Sequence, residues 1–244
     1  MLKKRLKHPL VIGVSAGILL LSSSASAMGL RAFVALPVEK GGNVVRFQLL
    51  HNTDKDVTHL ITSGAYGFNA KQTLLLGLPY RLSPSGKNRL GDASVLFRQI
   101  IAQNDSKSGT NRFALLGGAV IPSDGDRDPA VQGGFVYTHF NNRNEIDVDA
   151  IYQKGIDNRP DSGRYDLSWQ YRLTPAERPD WGIATELNSV VELGGRWQQG
   201  KNTTHQLTLG LQQVHQKWVI EGGVTQDLNN EKDLALLVST RFHF

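Results

Sequence analysis

The chain has 244 residues, no cysteine, and 27 basic against 22 acidic side chains, a formal net charge of +5. Without cysteine there are no disulfides and no cysteine-linked lipoprotein anchor. The basic excess is not the mark of a nucleic-acid partner. Four of the basic residues (Lys3, Lys4, Arg5 and Lys7) open a leader, and the remainder carries 23 basic against 22 acidic residues.

That leader continues with an apolar core, Leu10 to Leu21, and the small residues Ala25-Ser26-Ala27. The pattern predicts a secretory signal peptide over 1–27, cut before Met28, and a single domain over 28–244. A retained membrane helix would need about 20 apolar residues, and Ser22 to Ser26 interrupts the run. No apolar run of about 18 residues follows, so no helical span is expected. The mean hydropathy of −0.28 does not exclude a membrane barrel, in which every second residue of a strand faces lipid.

From residue 44 the chain parses into strands separated by turn formers. In the first, Val44 to Asn52, Val45, Phe47 and Leu49 oppose Arg46 and Gln48. The second is Thr58 to Phe68; the third, Thr73 to Leu82, alternates Leu74, Leu76, Leu78 and Tyr80. The loop Ser83 to Asn88 leads to a fourth from Gly91 to Gln103, then a fifth from Arg112 to Ile121. After the polar loop Pro122 to Pro129 comes the sixth, Val131 to Phe140. The seventh alternates most sharply, with Ile146, Val148, Ala150 and Tyr152 against Glu145, Asp147, Asp149 and Gln153. In the eighth, Tyr165, Leu167, Trp169 and Tyr171 oppose Arg164, Asp166, Ser168, Gln170 and Arg172. The ninth starts near Trp181 and sets Ile183, Leu187 and Val191 against Glu186, Asn188 and Glu192, with a loop expected over 194–204. The tenth is His205 to Val214 and the eleventh Trp218 to Leu228. The last, Leu234 to Phe244, carries Leu234, Leu236, Val238, Thr240, Phe242 and Phe244 on one face.

Twelve strands of alternating character, with a last strand ending in aromatics, predict an all-β fold: an antiparallel up-and-down transmembrane β-barrel of about 12 strands in the bacterial outer membrane. An even count puts both strand termini on one side. The longer connections (53–57, 83–90, 122–130, 156–163, 194–204, 229–232) then lie outside and the turns near 69–72, 104–110, 141–144, 173–180 and 215–217 in the periplasm. Terminal Phe244 resembles the signal read by the barrel-assembly machinery, and the expected surroundings are outer-membrane lipid. The polar faces would line the lumen with Arg46, Glu145, Asp147, Asp149, Arg164, Asp166, Arg172, Glu186, Glu192, Glu221 and Arg241. Such a lining suits either a narrow passage or a lumen filled with neutralising pairs.

Neither a metal nor a cofactor is expected. Asp124, Asp126 and Asp128 alternate, but Pro129 and Phe135 stand where a calcium loop of the EF-hand type needs glycine and glutamate, which leaves a solvated outer loop. His205 and His215 bound the tenth strand, too far apart to share a metal. Tyr137 to Arg143 resembles the His-x-Ser-Asn stretch of outer-membrane lipases and lipid A deacylases. Asn141 occupies the serine position, where an amide cannot be a nucleophile, so no catalytic residue is assigned to His139.

Three turn-like motifs carry a wider resemblance: Leu78-Pro79-Tyr80, Leu90-Gly91-Asp92 and Ile121-Pro122-Ser123-Asp124-Gly125-Asp126, with Glu186-Leu187-Asn188 and the terminal Phe244. They are similar to the outer-membrane transporter family named after the meta pathway of phenol degradation. The resemblance implies a barrel that passes small compounds, aromatic ones among them, and brings no catalytic residues. The expectation is a channel or transporter without enzymatic activity. The rivals are a closed structural or adhesive barrel whose loops bind a partner, and a lipid hydrolase.

Overall fold

A computed structural model describes residues 29–177, 185–230 and 232–244. The leader and Trp181 and Ile183, the expected start of the ninth strand, lie outside the described residues. Within them the chain forms twelve strands: β1 (Asn43–Asn52), β2 (Val57–Asn69), β3 (Gln72–Ser83), β4 (Ala93–Asp105), β5 (Gly109–Ile121), β6 (Ala130–Asn141), β7 (Asn144–Gly155), β8 (Ser162–Thr174), β9 (Glu186–Gln198), β10 (Thr204–Val214), β11 (Trp218–Asp227) and β12 (Leu234–His243). Each pairs antiparallel with its neighbours in sequence, and β1 closes on β12 into a barrel. Closure leaves no unpaired edge.

Alternation sorts the side chains. Phe47, Leu49, Leu76, Phe97, Leu115, Leu167, Leu209, Ile220, Leu236 and Val238 face outward and stay exposed. They form an apolar belt of the kind that faces lipid. Aromatic contacts rim it. Tyr66 meets Phe68 edge-on at 5.1 Å towards the turn end, and Tyr152 stacks on Trp197 at 6.0 Å towards the loop end. Ser63, Leu75, Leu96, Ala114 and Val136 face inward on β2 to β6, with Leu75 opposite Leu96 and Ala114 opposite Val136. The inward face is therefore not uniformly polar. Leu96, Ile100, Ala114, Leu116, Val136 and Ile151 form an apolar cluster on one side of the interior.

One expected loop is corrected. Positions 194–198 belong to β9, which runs on to Gln198, so the connection starts at 199. The glycines that suggest a loop are strand glycines with packing reasons. A Cβ at Gly195 would sit 2.1 Å from the Tyr165 ring, and one at Gly194 2.5 Å from the Asp166 carboxylate. Glycine in a strand often marks such a close approach.

The long connections share one end, and Asp92 ties three of them together. Its carboxylate accepts from Arg127 and from Arg159, each at 2.7 Å, and from the Ser123 amide at 3.3 Å. Burial pushes this carboxyl up. The Arg159 hydrogen bond, the Ser123 amide and the Arg127 charge outweigh that and hold it below the ordinary 3.8. A carboxyl depressed on folding stabilises above its unfolded pKa, and that stability is lost as pH falls through the folded value. Hydrogen exchange of the 84–92 and 122–129 amides, corrected for intrinsic rate, is therefore expected to stay slow from pH 8 to about pH 4 and to quicken below it. Asp92→Asn should quicken it at pH 7; unchanged loop protection in that variant would remove the tie.

Candidate functional site

The chain's own N-terminal segment, residues 29–42, precedes β1, and its first part, 29–38, occupies the interior. Leu30, Ala32, Val34 and Ala35 are almost fully buried. The hydrogen bonds of the segment show that it crosses the barrel. The Leu30 carbonyl accepts from Arg46 at 2.5 Å and Gln48 at 3.1 Å, both on β1. The Arg31 amide donates to Glu192 on β9 at 2.9 Å, and the Phe33 amide to Asp149 on β7 at 2.7 Å. The strand order puts β7 halfway round the ring from β1. The Ala35 amide donates to Thr138 at 2.8 Å, whose hydroxyl donates in turn to Asp147 at 2.6 Å. On another wall Arg98 of β4 donates to the carbonyls of Val34 at 2.5 Å and Leu36 at 2.6 Å.

The pattern has an electrostatic logic. Amides of alternate residues (31, 33, 35) meet carboxylates or a carboxylate-bound hydroxyl on β6, β7 and β9. Carbonyls of the interleaved residues (30, 34, 36) meet cationic or amide donors on β1 and β4. Charged partners make the stronger hydrogen bonds, so both edges of the segment's backbone are gripped. The wall is also shaped for it. Gly210 and Gly223 face each other across β10 and β11, and a Cβ on either would come within 2.4 or 3.0 Å of a Leu30 methyl. Leu30 packs there with Val190, Leu237 and Leu50. Phe33 lies under the Arg164 guanidinium, 4.4 Å from its ring centre.

The eleven charged residues named from the sequence lie on the inward side, in three groups and three single placements. Glu221 on β11 receives Arg46 at 2.5 Å and Arg241 at 3.1 Å, with Ser239 at 2.6 Å and Gln212 at 2.8 Å completing its shell. Arg164 meets Asp149 at 3.0 Å and Asp166; Arg196 joins Asp166 at 2.8 Å. Arg172 meets Glu186 at 3.3 Å. Glu192 holds the N-terminal segment, and buried Asp147 accepts from Thr138 and from Gln170 at 3.1 Å. Glu145 is buried beside them, opposite Gln170.

The polar-face rule overlooks Arg31, Arg98, Thr138 and Arg196, and with them the N-terminal segment. Arg98 had a signal, a lone charge alternating with Leu96 and Ile100. The segment had one too: Leu30 to Val38 is mostly apolar, yet no strand pairs with it.

A cavity of about 430 Å³ remains between the segment and the wall. Leu50, Ile61, Leu75 and Leu96 line it, together with Arg46, Arg98 and Arg241. The stretch compared with lipases supplies no nucleophile. His139 lies on the outward side, its Nδ1 2.6 Å from the Asn111 side-chain oxygen. His205 contacts the Tyr165 hydroxyl at 2.7 Å while His215 stacks on Trp218 at 5.0 Å, so the two histidines serve separate contacts. Among the described residues no three histidine, aspartate or glutamate side chains gather as a metal site. Asp124 caps the Asp126 amide at 3.3 Å and Asp128 the Asn158 amide at 3.1 Å.

No protein-family model matches the sequence, and no curated protein does. Solved structures do match. An outer membrane channel from Pseudomonas putida F1 is 15% identical, with 86% of this chain and 97% of that chain covered and a TM-score of 0.55. The KdgM porin is 8% identical, with 82% and 99% covered and a TM-score of 0.53. KdgM in complex with disordered oligogalacturonate is 11% identical, with 83% and 99% covered and a TM-score of 0.52. At these identities the likeness is one of fold: the chain is a closed twelve-stranded antiparallel barrel like those of outer membrane channels and porins.

Proposed function

We propose that this protein is an outer-membrane channel for small solutes, hydrophobic or aromatic ones among them, closed in the conformation described by residues 29–36. The observation that carries the reading is the seated segment itself: one stretch of backbone is gripped from several walls, in a barrel whose outward belt suits lipid. On this reading residues 1–27 are the leader that takes the chain across the inner membrane. Phe244 is the contact for the assembly machinery, the inward charged residues set selectivity, and there is no enzymatic activity. Membership of the family named after the meta pathway of phenol degradation is part of the same proposal, supported by the short motifs and by the shared barrel.

A filled interior also favours a second reading, a closed barrel that serves through its outer loops. The two part in a planar bilayer. Deleting residues 29–36 removes the buried Leu30 and Val34, each worth roughly 1.5–3 kcal/mol of apolar burial, and frees the walls they cover. The full-length mature chain is expected to conduct rarely and the deleted chain steadily. A deleted chain that folds, shifts on a gel with heating and never conducts at any voltage would leave the structural reading standing.

A further inference from the structure

Arg98 differs from the other buried arginines of the interior. Arg241 and Arg46 share Glu221, and Arg172 meets Glu186. Among the described residues no carboxylate lies in ion-pair range of Arg98, although its residue exposure is 3%. Its terminal nitrogens are satisfied by neutral oxygens: the Val34 carbonyl at Nη1, and the Leu36 carbonyl and the Thr73 hydroxyl (3.1 Å) at Nη2. Its Nε is buried without a partner. Peptide carbonyls carry only a partial charge, so this pocket is short of one negative charge. Two oxygens on the two ends of one guanidinium is the arrangement that a carboxylate fulfils better, with full charge and matched geometry.

The surroundings set the rest of the ligand. The adjoining cavity of about 430 Å³ falls within the roughly 300–1,000 Å³ of small-molecule sites. Beside Arg98 its wall is apolar, with Leu75 and Leu96 paired across β3 and β4 and Ile61, Leu50 and Phe33 around them. An apolar body with a single planar anionic end fits such a pocket. We propose that Arg98 is an anion-binding site that takes the carboxylate of a small aromatic or branched aliphatic acid in place of the Val34 and Leu36 carbonyls. Ligand binding and withdrawal of the segment are then one exchange, since both compete for the same donors. The proposal rests on the reading of residues 29–36 as a plug and adds to it a ligand class.

The chain has no cysteine, so a single Val34→Cys in the full-length mature protein reports the plug through its rate of maleimide labelling. Val34 is 2% exposed, and labelling is expected to be slow in buffer. Sodium benzoate should raise the rate at least about tenfold at saturation, following a binding curve, while benzyl alcohol, of like shape without the charge, should leave it unchanged. In the Arg98→Gln background the basal rate should rise and the benzoate dependence vanish; Arg98→Lys, which keeps the charge and loses the fork, should need more benzoate. Equal effects of benzoate and benzyl alcohol, or an undiminished benzoate response in Arg98→Gln, would overturn the site. If Arg98→Gln does not fold, the benzoate against benzyl alcohol comparison and Arg98→Lys decide alone. Labelling requires no conduction. Benzoate-dependent labelling with a silent deletion variant keeps the site and sinks the channel, and the converse pair of results does the reverse.

Discussion

Glu221→Ala is expected to destabilise the folded barrel by about 3–5 kcal/mol, the largest loss from any single substitution considered. The reason lies at the seam that closes the ring. Arg46 on β1 stands directly opposite Arg241 on β12, and like charges facing each other across strands repel. Glu221, opposite Ser239 on the next strand pair, lies between them and takes both guanidiniums on one carboxylate, which is 2% exposed. Removing it leaves two buried cations at the pairing that finishes the barrel. Adding Arg241→Ala to Glu221→Ala is expected to cost less than the two single losses added together, because contacting members of one network do not add. Urea titrations followed by tryptophan fluorescence, checked by the heat-dependent gel shift, measure both. A Glu221→Ala midpoint equal to that of the parent would mean that the seam does not depend on this carboxylate.

How far the sequence could be read depended on how each strand separates its faces. On β7 and β8 the faces are chemically opposite, so Asp147, Asp149 and Asp166 could be assigned inward with no structure at hand. On β4 and β5 both faces are largely apolar, and on β4 Arg98 on one face is matched by Gln99 on the other. Leu96 and Ile100 point inward while Phe97 and Ile101 point outward, and no polarity rule distinguishes them. Glycine misled for a related reason. At Gly194 and Gly195 it signals room for Asp166 and Tyr165, and that need arises from the register of β8 on β9, which is a property of the closed sheet. The N-terminal segment was the hardest part. Its hydrogen bonds join residues 103 to 161 positions apart on the β6, β7 and β9 walls, and nothing local announces them. Periodicity reports a segment's own faces, whereas the seat of Leu30 exists only after two glycines from different strands have been brought side by side.

The outward belt sets the second large effect, and it depends on depth. Leu209 lies at the middle of β10, 52% exposed, between Val191 of β9 and Val224 of β11. Its neighbours on both sides are apolar, so an arginine there finds no partner at its own level. In a bilayer, Leu209→Arg is expected to cost about 2–4 kcal/mol, the range for a cation at the midplane of a barrel's lipid face. Val131 is equally exposed, at 51%, but is the second residue of β6, beside the 122–129 loop. There a guanidinium can reach the interface along its own stem, and Val131→Arg should cost no more than about 1 kcal/mol. The two starting side chains differ by one methylene, about 0.8 kcal/mol, so a larger difference between the variants reports the surrounding solvent. The comparison is made by urea titration of folding into phospholipid vesicles. A gap of about 2 kcal/mol or more, which exceeds the methylene difference and lies within the roughly 1–4 kcal/mol that separates midplane from interface costs, means that hydrocarbon surrounds mid-height of the barrel. Equal costs at the two positions, or full folding of both variants in buffer without lipid or detergent, would remove lipid from the account of the fold and with it the membrane channel.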